Sequence, residues 1–181
     1  KETPGLTIQP IRGMIGTKGA MLAELALDNC HIPTQNMLAG VGFGIMAVAM
    51  SALDIGRYSV AWGSVGIGQA SLEASLAYSQ SREQFGQPIS KFQLIQQMVT
   101  NMVTHVKAAR LLCLQAGYAL ENQQANATND ILIAKYFASK TAMEVASDAV
   151  QIHGANGCSS DYPVQRFLRD AKVMEIIEGS H

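Results

Sequence analysis

The chain has 181 residues and a formal net charge of −1 at pH 7, with 48% hydrophobic and 6% aromatic residues. This length suits one domain, or one domain and part of another, and it allows a real hydrophobic core. The small net charge gives no support for binding to nucleic acid or to an anionic membrane. No run of about 18 uninterrupted apolar residues predicts a membrane span.

The cysteines and histidines do not predict a metal site. The three cysteines, Cys30, Cys113 and Cys158, lack the spacing of metal ligands, and the four histidines form no pair at i and i+4. An odd number of scattered cysteines favours reduced thiols and therefore a cytoplasmic location. Because the chain begins with Lys1 rather than Met, we expect it to be a piece of a longer chain.

Residues 1–40 have the pattern of two short strands. Apolar residues alternate with polar ones around Ile8, and a second apolar segment lies at residues 25–27, with a glycine-rich loop between them. Two strands alone do not form a stable sheet. We therefore expect residues 1–40 to be the tail of a β domain and residues 41–181 to be a separate helical domain.

Long helices are predicted from residue 42 onwards. Small apolar residues recur at helical spacing as far as Ala77, and a second apolar stripe runs from Ile95 to Ala109. The glycine-rich run at 63–68 lacks the G-x-G-x-x-G order of a dinucleotide loop, and no strand leads into it. We interpret these glycines as positions of close helix packing.

Two further helices complete the pattern. A polar loop at 122–129 precedes the third helix, for which Asp130 is the expected N-cap. Pro163 suits the first turn of the fourth helix, where no backbone donor is needed. The helix lengths and connections predict a mainly α fold, an antiparallel four-helix bundle.

The last predicted helix ends on a carboxylate in apolar surroundings. Ile176 and Ile177 precede Glu178, and Gly179 allows a tight turn directly behind it. An apolar pocket disfavours the charged form of a carboxylate, which raises its pKa toward the range that a general base needs. From spacing alone, the alternative is a surface glutamate at a frayed helix end.

Two motifs in this last stretch resemble a known family. The sequence Tyr-Pro-Val-x-Arg-Phe-Leu-Arg-Asp-Ala-Lys at 162–172, followed by Glu-Gly-Ser at 178–180, resembles the C-terminal signature of the acyl-CoA dehydrogenases. The resemblance implies that Glu178 is the catalytic base, that FAD is the cofactor and that Ser180 contacts it. It also implies that the chain joins the end of the family's middle β domain to its C-terminal helical domain.

The loop at residues 82–89 resembles the family motif Arg-x-x-Phe-Gly-x-Pro-Ile. The resemblance implies that Arg82, Phe85 and the following Gln93 contact the FAD of a neighbouring subunit. It therefore implies a homodimer or a homotetramer. From composition alone, the loop is equally well explained as an ordinary turn with a solvated arginine.

The segment that begins at Gln151 resembles the family's Gln-x-x-Gly-Gly-x-Gly loop. The resemblance assigns Gln151, Gly154 and Gly157 to the pyrophosphate or adenine side of the cofactor. A glycine turn at a helix end exposes backbone N–H groups, which suits a phosphate. We interpret His153, inside this loop, as a helix-end histidine satisfied by the fold.

Asp54 and Arg57 lie one helical turn apart, which by itself predicts a local ion pair on a helix surface. The resemblance instead places both residues at the substrate end of the cavity. A minority branch of the family carries its catalytic glutamate at position 56, where this chain has Gly56, so the base is expected at Glu178. Ile177 replaces a usual tyrosine, which implies an altered shape of the substrate site beside the thioester.

Taken together, the motifs imply FAD-dependent α,β-dehydrogenation of an acyl thioester such as an acyl-CoA, with electron-transfer flavoprotein as a possible acceptor. Glu178 would remove the α-proton while the β-hydrogen leaves as hydride to the flavin. Two alternatives stay open. The runs at 56–63 and 153–158 resemble a branch that oxidises acyl groups such as hydroxymalonyl on acyl carrier protein, for polyketide extender units. The other alternative is a helical oligomerisation module without activity.

Overall fold

The structure is a computed structural model and describes residues 3–180. Within this range a two-stranded hairpin precedes four α-helices, and a second, shorter hairpin joins the first helix to the second. The predicted mainly α four-helix bundle is confirmed. The helices are α1 Met50–Ser81, α2 Gln93–Glu121, α3 Ala127–His153 and α4 Val164–Ile176.

The first hairpin pairs strand β1, Leu6–Pro10, with strand β2, Ala23–Leu27, in antiparallel register. Both strands lie where the sequence predicted them, β1 from alternating apolar residues and β2 from the apolar segment at 25–27. Nearly all of their side chains are exposed. A short π-helix, Gly44–Ala49, leads from this region into α1.

The loop between β1 and β2 docks on α4 through main-chain contacts. The Thr17 N–H donates to Asp170 Oδ1 at 2.6 Å, and Arg169 Nη1 donates to the Ile15 carbonyl at 2.8 Å. A Cβ added at Gly16 would lie 2.3 Å from the Arg169 carbonyl oxygen. This close approach of two backbones therefore requires glycine at position 16.

The centre of the bundle is built from small side chains. Ala61 on α1, Ala109 on α2 and Ala138 on α3 are fully buried. Helix α1 also buries four serines, at positions 64, 71, 75 and 79. The Oγ atoms of Ser64 and Ser75 each donate to the carbonyl four residues earlier at 2.8 Å, so these hydroxyls are satisfied within their own helix. The predicted apolar stripe on α1 did not include these serines.

Two local predictions need correction. Gly63 and Gly66 are exposed, with nothing within 4 Å of an added Cβ, and only Gly68 of that run packs closely, 3.1 Å from Val106 Cγ2. Asp130 is not the N-cap of α3, because the helix already begins at Ala127. Its carboxylate lies in the first turn, where negative charge is favourable, and accepts from Asn126 Nδ2 at 2.8 Å.

Residues 3–180 contain neither a membrane-spanning helix nor a cluster of metal ligands. No helix in this range combines the length and apolar character needed to cross a bilayer. The same residues contain no group of three or more histidine, cysteine, aspartate or glutamate side chains arranged to hold a metal ion.

Candidate functional site

The turn after α4 holds its backbone in an unusual conformation. Helix α4 ends at Ile176, and the half-buried Ile177 is extended. Glu178 and Gly179 follow with φ values of 57° and 112°. Such left-handed backbone is easy for glycine and disfavoured for glutamate. A glutamate held in this region points to a functional constraint at the position.

The turn directs the Glu178 side chain onto helix α1. A Cβ added at Gly56 would lie 2.7 Å from Glu178 Cδ and Oε2 and 2.8 Å from Oε1. Glu178 is half-buried, and its Oε2 is buried without a hydrogen-bond partner among the described residues. A buried carboxylate oxygen without a donor is costly for a fold, which makes this atom a candidate for chemistry.

Arg57 connects the turn to the acidic residue expected beside it. Its Nε donates to the Glu178 carbonyl oxygen at 3.2 Å, while its Nη1 donates to Asp54 Oδ1 at 2.9 Å. Thr128 Oγ1 donates to Asp54 Oδ2 at 3.0 Å. The predicted ion pair therefore exists, and it also joins the turn after α4 to helix α1.

Sequence reasoning missed Lys135 on helix α3. Only 4% of this lysine is exposed, and its Nζ donates to the carbonyl oxygens of Gly179 at 2.5 Å and Glu175 at 3.2 Å. Burial disfavours the ammonium and lowers the pKa of Lys135, against the opposing effect of the Glu175 carboxylate. A lysine between Ala134 and Ala138 in an apolar stripe was the available signal.

A second site lies at the far end of α1. An open pocket of about 430 Å³ is lined by Arg82 and Phe85 from the hairpin after α1, and by His153, Gly154 and Asn156 from the end of α3. The two glycine-containing motifs, far apart in sequence, thus meet in one place. Their meeting depends on the side-by-side packing of α1 and α3.

The hairpin in this pocket presents an aromatic ring to solvent. Phe85 and Gly86 have φ values of 52° and 79°, the signs of a tight hairpin turn with two left-handed residues. Phe85 is 94% exposed and meets Phe92 edge to face at 6.2 Å between ring centroids. A bulky residue at positive φ, with its ring in water, indicates a binding role at this position.

Several of the predicted cofactor residues do not line this pocket. Gln93 and Gln151 are exposed and Ser180 lies in the exposed end of the turn, but none of the three is among the pocket-lining residues. Gly154 has φ 58° and open space around an added Cβ. Gly157 is buried, and a Cβ there would lie 2.5 Å from the Val150 carbonyl oxygen, so packing alone already requires glycine.

His153 is held by the fold, as the sequence interpretation expected. Its Nδ1 lies 2.7 Å from the Ala149 carbonyl, which can only accept, so Nδ1 carries a proton. Its ring stacks on Tyr78 with centroids 4.1 Å apart. Burial lowers the pKa of His153, and the hydrogen bond to Ala149 opposes this shift. Asn156 Nδ2 completes the cluster by donating to the Tyr78 hydroxyl at 3.0 Å.

Helix α1 separates the two sites. Arg57 lies near the turn of Glu178, whereas Arg82 directly follows the other end of the helix. At about 1.5 Å per residue, the helix axis between them is roughly 37 Å long. A single ligand that reached both sites of one subunit would need to span this length.

Residues 44–181 match the family model described as acyl-CoA dehydrogenase, C-terminal domain. The chain belongs to the acyl-CoA dehydrogenase family, whose members are FAD-dependent flavoproteins.

Individual relatives agree with this assignment. The chain is 42% identical to the probable acyl-CoA dehydrogenase YngJ of Bacillus subtilis over 179 residues, covering 99% of the chain and 47% of that relative. It shares 39% sequence identity with butyryl-CoA dehydrogenase from Megasphaera elsdenii. The two structures superimpose with a TM-score of 0.95 over 99% of the chain and 46% of that protein. It also resembles FkbI for biosynthesis of a methoxymalonyl extender unit of a polyketide, with 34% identity, a TM-score of 0.87 and coverage of 99% and 48%. The chain thus spans about half the length of these relatives.

The second pocket fits one part of the family's cofactor. FAD carries an adenine ring and two phosphates, and the pocket offers the exposed Phe85 ring, the Arg82 guanidinium and open main chain at Gly154. A guanidinium matches phosphate oxygens in a two-pronged geometry, and an aromatic ring can stack on a base.

Proposed function

We propose that the full-length protein is an FAD-dependent acyl-CoA dehydrogenase in which Glu178 is the catalytic base. The observation that carries the proposal is the Glu178 carboxylate, which lies against Gly56 with one buried oxygen and no donor to that oxygen within residues 3–180. An acceptor kept without a partner is suited to taking a proton from a bound substrate.

The proposed reaction is the oxidation of an acyl thioester to its α,β-unsaturated product. The α-proton of a thioester is weakly acidic, so the base must lie close to it and the thioester oxygen must be held by donors. Glu178 takes the α-proton and becomes a neutral acid, and its own backbone N–H is the donor that the family resemblance assigns to the thioester oxygen. The chemistry that FAD would supply when bound is the acceptance of the β-hydrogen as hydride. Arg57 holds the Glu178 carbonyl, which fixes the direction of the side chain.

We also propose that the pocket at Arg82 and Phe85 binds the adenosine and phosphate end of a flavin that serves a neighbouring subunit. The helix axis of roughly 37 Å between Arg57 and Arg82 supports this arrangement, because one FAD is too short to reach both ends. A homodimer or homotetramer is then required for a complete site. Gln93, Gln151, Gly157 and Ser180 remain predictions as further cofactor contacts.

The first test removes the charge of the base without changing its size. In the full-length holoenzyme, we expect Glu178→Gln to abolish the bleaching of flavin absorbance by butyryl-CoA or octanoyl-CoA, because an amide cannot accept the α-proton. The exposed Glu73 on α1, which accepts from Gln69 Nε2 at 2.8 Å, provides the matched control Glu73→Gln. Undiminished bleaching in Glu178→Gln would reject the assignment.

A second candidate is oxidation of a hydroxyacyl group on acyl carrier protein. It is favoured by the 34% identity to the extender-unit protein FkbI, and by the resemblance of the runs at 56–63 and 153–158 to that branch. In this reaction the α-carbon alcohol would be oxidised to a ketone: Glu178 would take the hydroxyl proton, and FAD would supply the acceptor for the hydride from the α-carbon. Flavin reduction by butyryl-CoA and by hydroxymalonyl-loaded acyl carrier protein separates the candidates. An acyl-CoA dehydrogenase should be reduced only by butyryl-CoA, and a hydroxyacyl oxidase only by the loaded carrier protein.

The third candidate, an oligomerisation module without activity, is distinguished by colour. A purified full-length protein with a flavin absorbance band favours an enzyme, and a colourless protein that no added FAD turns yellow favours the module. Electron-transfer flavoprotein as the acceptor and the cytoplasm as the location stay predictions.

A further inference from the structure

Lys135 is the one lysine, arginine, aspartate or glutamate among residues 3–180 that the fold buries, at 4% exposure. Placing an ammonium in a protein interior is costly unless strong hydrogen bonds compensate for the lost water. Its two hydrogen bonds go to main-chain carbonyl oxygens rather than to carboxylates. The structure thus uses a buried cation to hold a stretch of backbone.

The two carbonyls held by Lys135 lie on either side of Glu178. The Glu175 carbonyl belongs to the last turn of α4, where carbonyls lack partners within the helix and attract positive charge. The Gly179 carbonyl lies directly after the proposed base. From the opposite side, Arg57 on α1 donates to the carbonyl of Glu178 itself at 3.2 Å. Two cations on two different helices therefore clamp the turn.

We propose that Lys135 is a positioning residue for the reaction, one that keeps Glu178 in its left-handed conformation by holding the Glu175 and Gly179 carbonyls. The conformation, with φ 57°, is disfavoured for glutamate and needs a tether to persist. In this conformation the carboxylate lies against Gly56. Lys135 does not touch the reacting atoms in this role. The inference rests on the proposed function of Glu178 as the base.

The test uses the full-length holoenzyme and a matched pair of substitutions on α3. Lys135→Met keeps the length of the side chain and removes its donors, and Lys140→Met does the same to an exposed lysine of the same helix. Flavin reduction by butyryl-CoA and by octanoyl-CoA is followed in stopped flow, per bound flavin. We expect Lys135→Met to slow flavin reduction at saturating substrate by up to about 100-fold, because a small misplacement of a reacting group has an effect of this size. The substrate concentration that gives half the limiting rate should change little. Lys140→Met should react at the wild-type rate.

A merely structural role would give a different result. If the activity of Lys135→Met falls only in proportion to lost flavin or lost folded protein, or if its rate per flavin is that of the wild type, the inference is wrong. Should Lys135→Met fail to fold, Lys135→Gln takes its place, since the shorter amide cannot reach both carbonyls. A wild-type rate per flavin in Lys135→Gln would equally overturn the proposal.

Two further readouts separate this inference from the proposed function. If Glu178→Gln still allows flavin reduction, the assignment of the base fails. If Glu178→Gln is inactive while Lys135→Gln reacts normally, only the role of Lys135 fails. A crystal structure of the Lys135→Gln holoenzyme needs no substrate at all. It should show the Glu178 carboxylate displaced from Gly56, and an unmoved carboxylate would count against the proposal.

Discussion

The contact between Glu178 and Gly56 decides where the proposed base lies. Position 56 has room only for a hydrogen atom, because a Cβ there would approach the carboxylate to 2.7 Å. The side chains of Arg57 and Lys135 hold the backbone around Glu178, and Gly56 leaves the space for its side chain. The residue identities at these positions are therefore coupled.

The first prediction at the scale of single residues concerns Gly56→Ala. We expect the added methyl group to push the Glu178 carboxylate away and to slow flavin reduction by up to about 100-fold, a typical effect of misplacing a reacting group. The control is Gly63→Ala on the same helix, which is exposed and has nothing within 4 Å of its new Cβ. It should stabilise α1 by up to about 1 kcal/mol, as alanine does in helices, and leave the rate unchanged. Stopped-flow rates and melting temperatures measure both effects.

A second prediction at this scale concerns pH and His153. Burial lowers the pKa of His153 in the folded state, so below about pH 6.5 the unfolded chain binds a proton more readily than the folded one. The stability that neutral His153 contributes is present above this pH and is lost as the pH falls toward the lowered pKa. His153→Phe should therefore reduce the drop in Tm between pH 7.5 and pH 5. An identical drop in both proteins would contradict the prediction.

At the scale of secondary-structure elements, the first hairpin is attached to α4 by two hydrogen bonds that flank the close approach of two backbones at Gly16. The hairpin has few buried side chains, and the Thr17 to Asp170 hydrogen bond of 2.6 Å secures its loop. Local stability in such a region follows from a small number of contacts. Loss of the close approach at Gly16 should therefore release the hairpin while the bundle remains folded.

Gly16→Ala tests this attachment. The new Cβ would lie 2.3 Å from the Arg169 carbonyl oxygen, and a backbone atom of a packed helix cannot move aside easily. We expect faster hydrogen exchange at the amides of residues 15–17 and in β1 and β2, with the helices unchanged. Gly19→Ala is the control, since nothing lies within 4 Å of an added Cβ there. Equal exchange in the two variants would show that the loop has another attachment.

At the scale of the whole molecule, the chain exposes large apolar side chains on several elements. Helices α2 and α3 expose Leu114 and Ile133 by half or more, and Leu25 and Leu27 of β2 are 66% and 71% exposed. Contiguous exposed apolar surface favours association with another protein surface. The division of the chain into a β tail at 1–40 and a helical domain at 41–181 stays a prediction.

The corresponding prediction is that the 181-residue chain on its own self-associates and binds FAD weakly. Association covers the exposed apolar faces, while the isoalloxazine end of the cofactor lacks contacts that the family resemblance assigns to the rest of the β domain. Light scattering at micromolar concentration and titration of flavin fluorescence measure the two properties. A monomeric profile, or tight flavin binding, would contradict the corresponding half of the prediction.

The sequence by itself determined the elements and the candidate residues. The two strands of the first hairpin, the four helices and the turn after Ile176 follow from local patterns of apolar, glycine and proline residues, which act over a few positions of the chain. The short strands of the second hairpin were not predicted. The family signature at residues 162–172 and 178–180 singled out Glu178 in the same local way. Arg82 and Gly154 were likewise found through short motifs, without any knowledge of their distance in space.

Only the tertiary structure decided how these residues combine. The clamp of Lys135 and Arg57 around Glu178, the contact with Gly56 and the shared pocket of Arg82 and Gly154 all join segments that are distant in sequence. Hydrophobic periodicity shows which face of a helix is buried, but not which neighbour covers it. For this reason a lysine inside an apolar stripe has no evident role until the carbonyls that it holds are placed beside it.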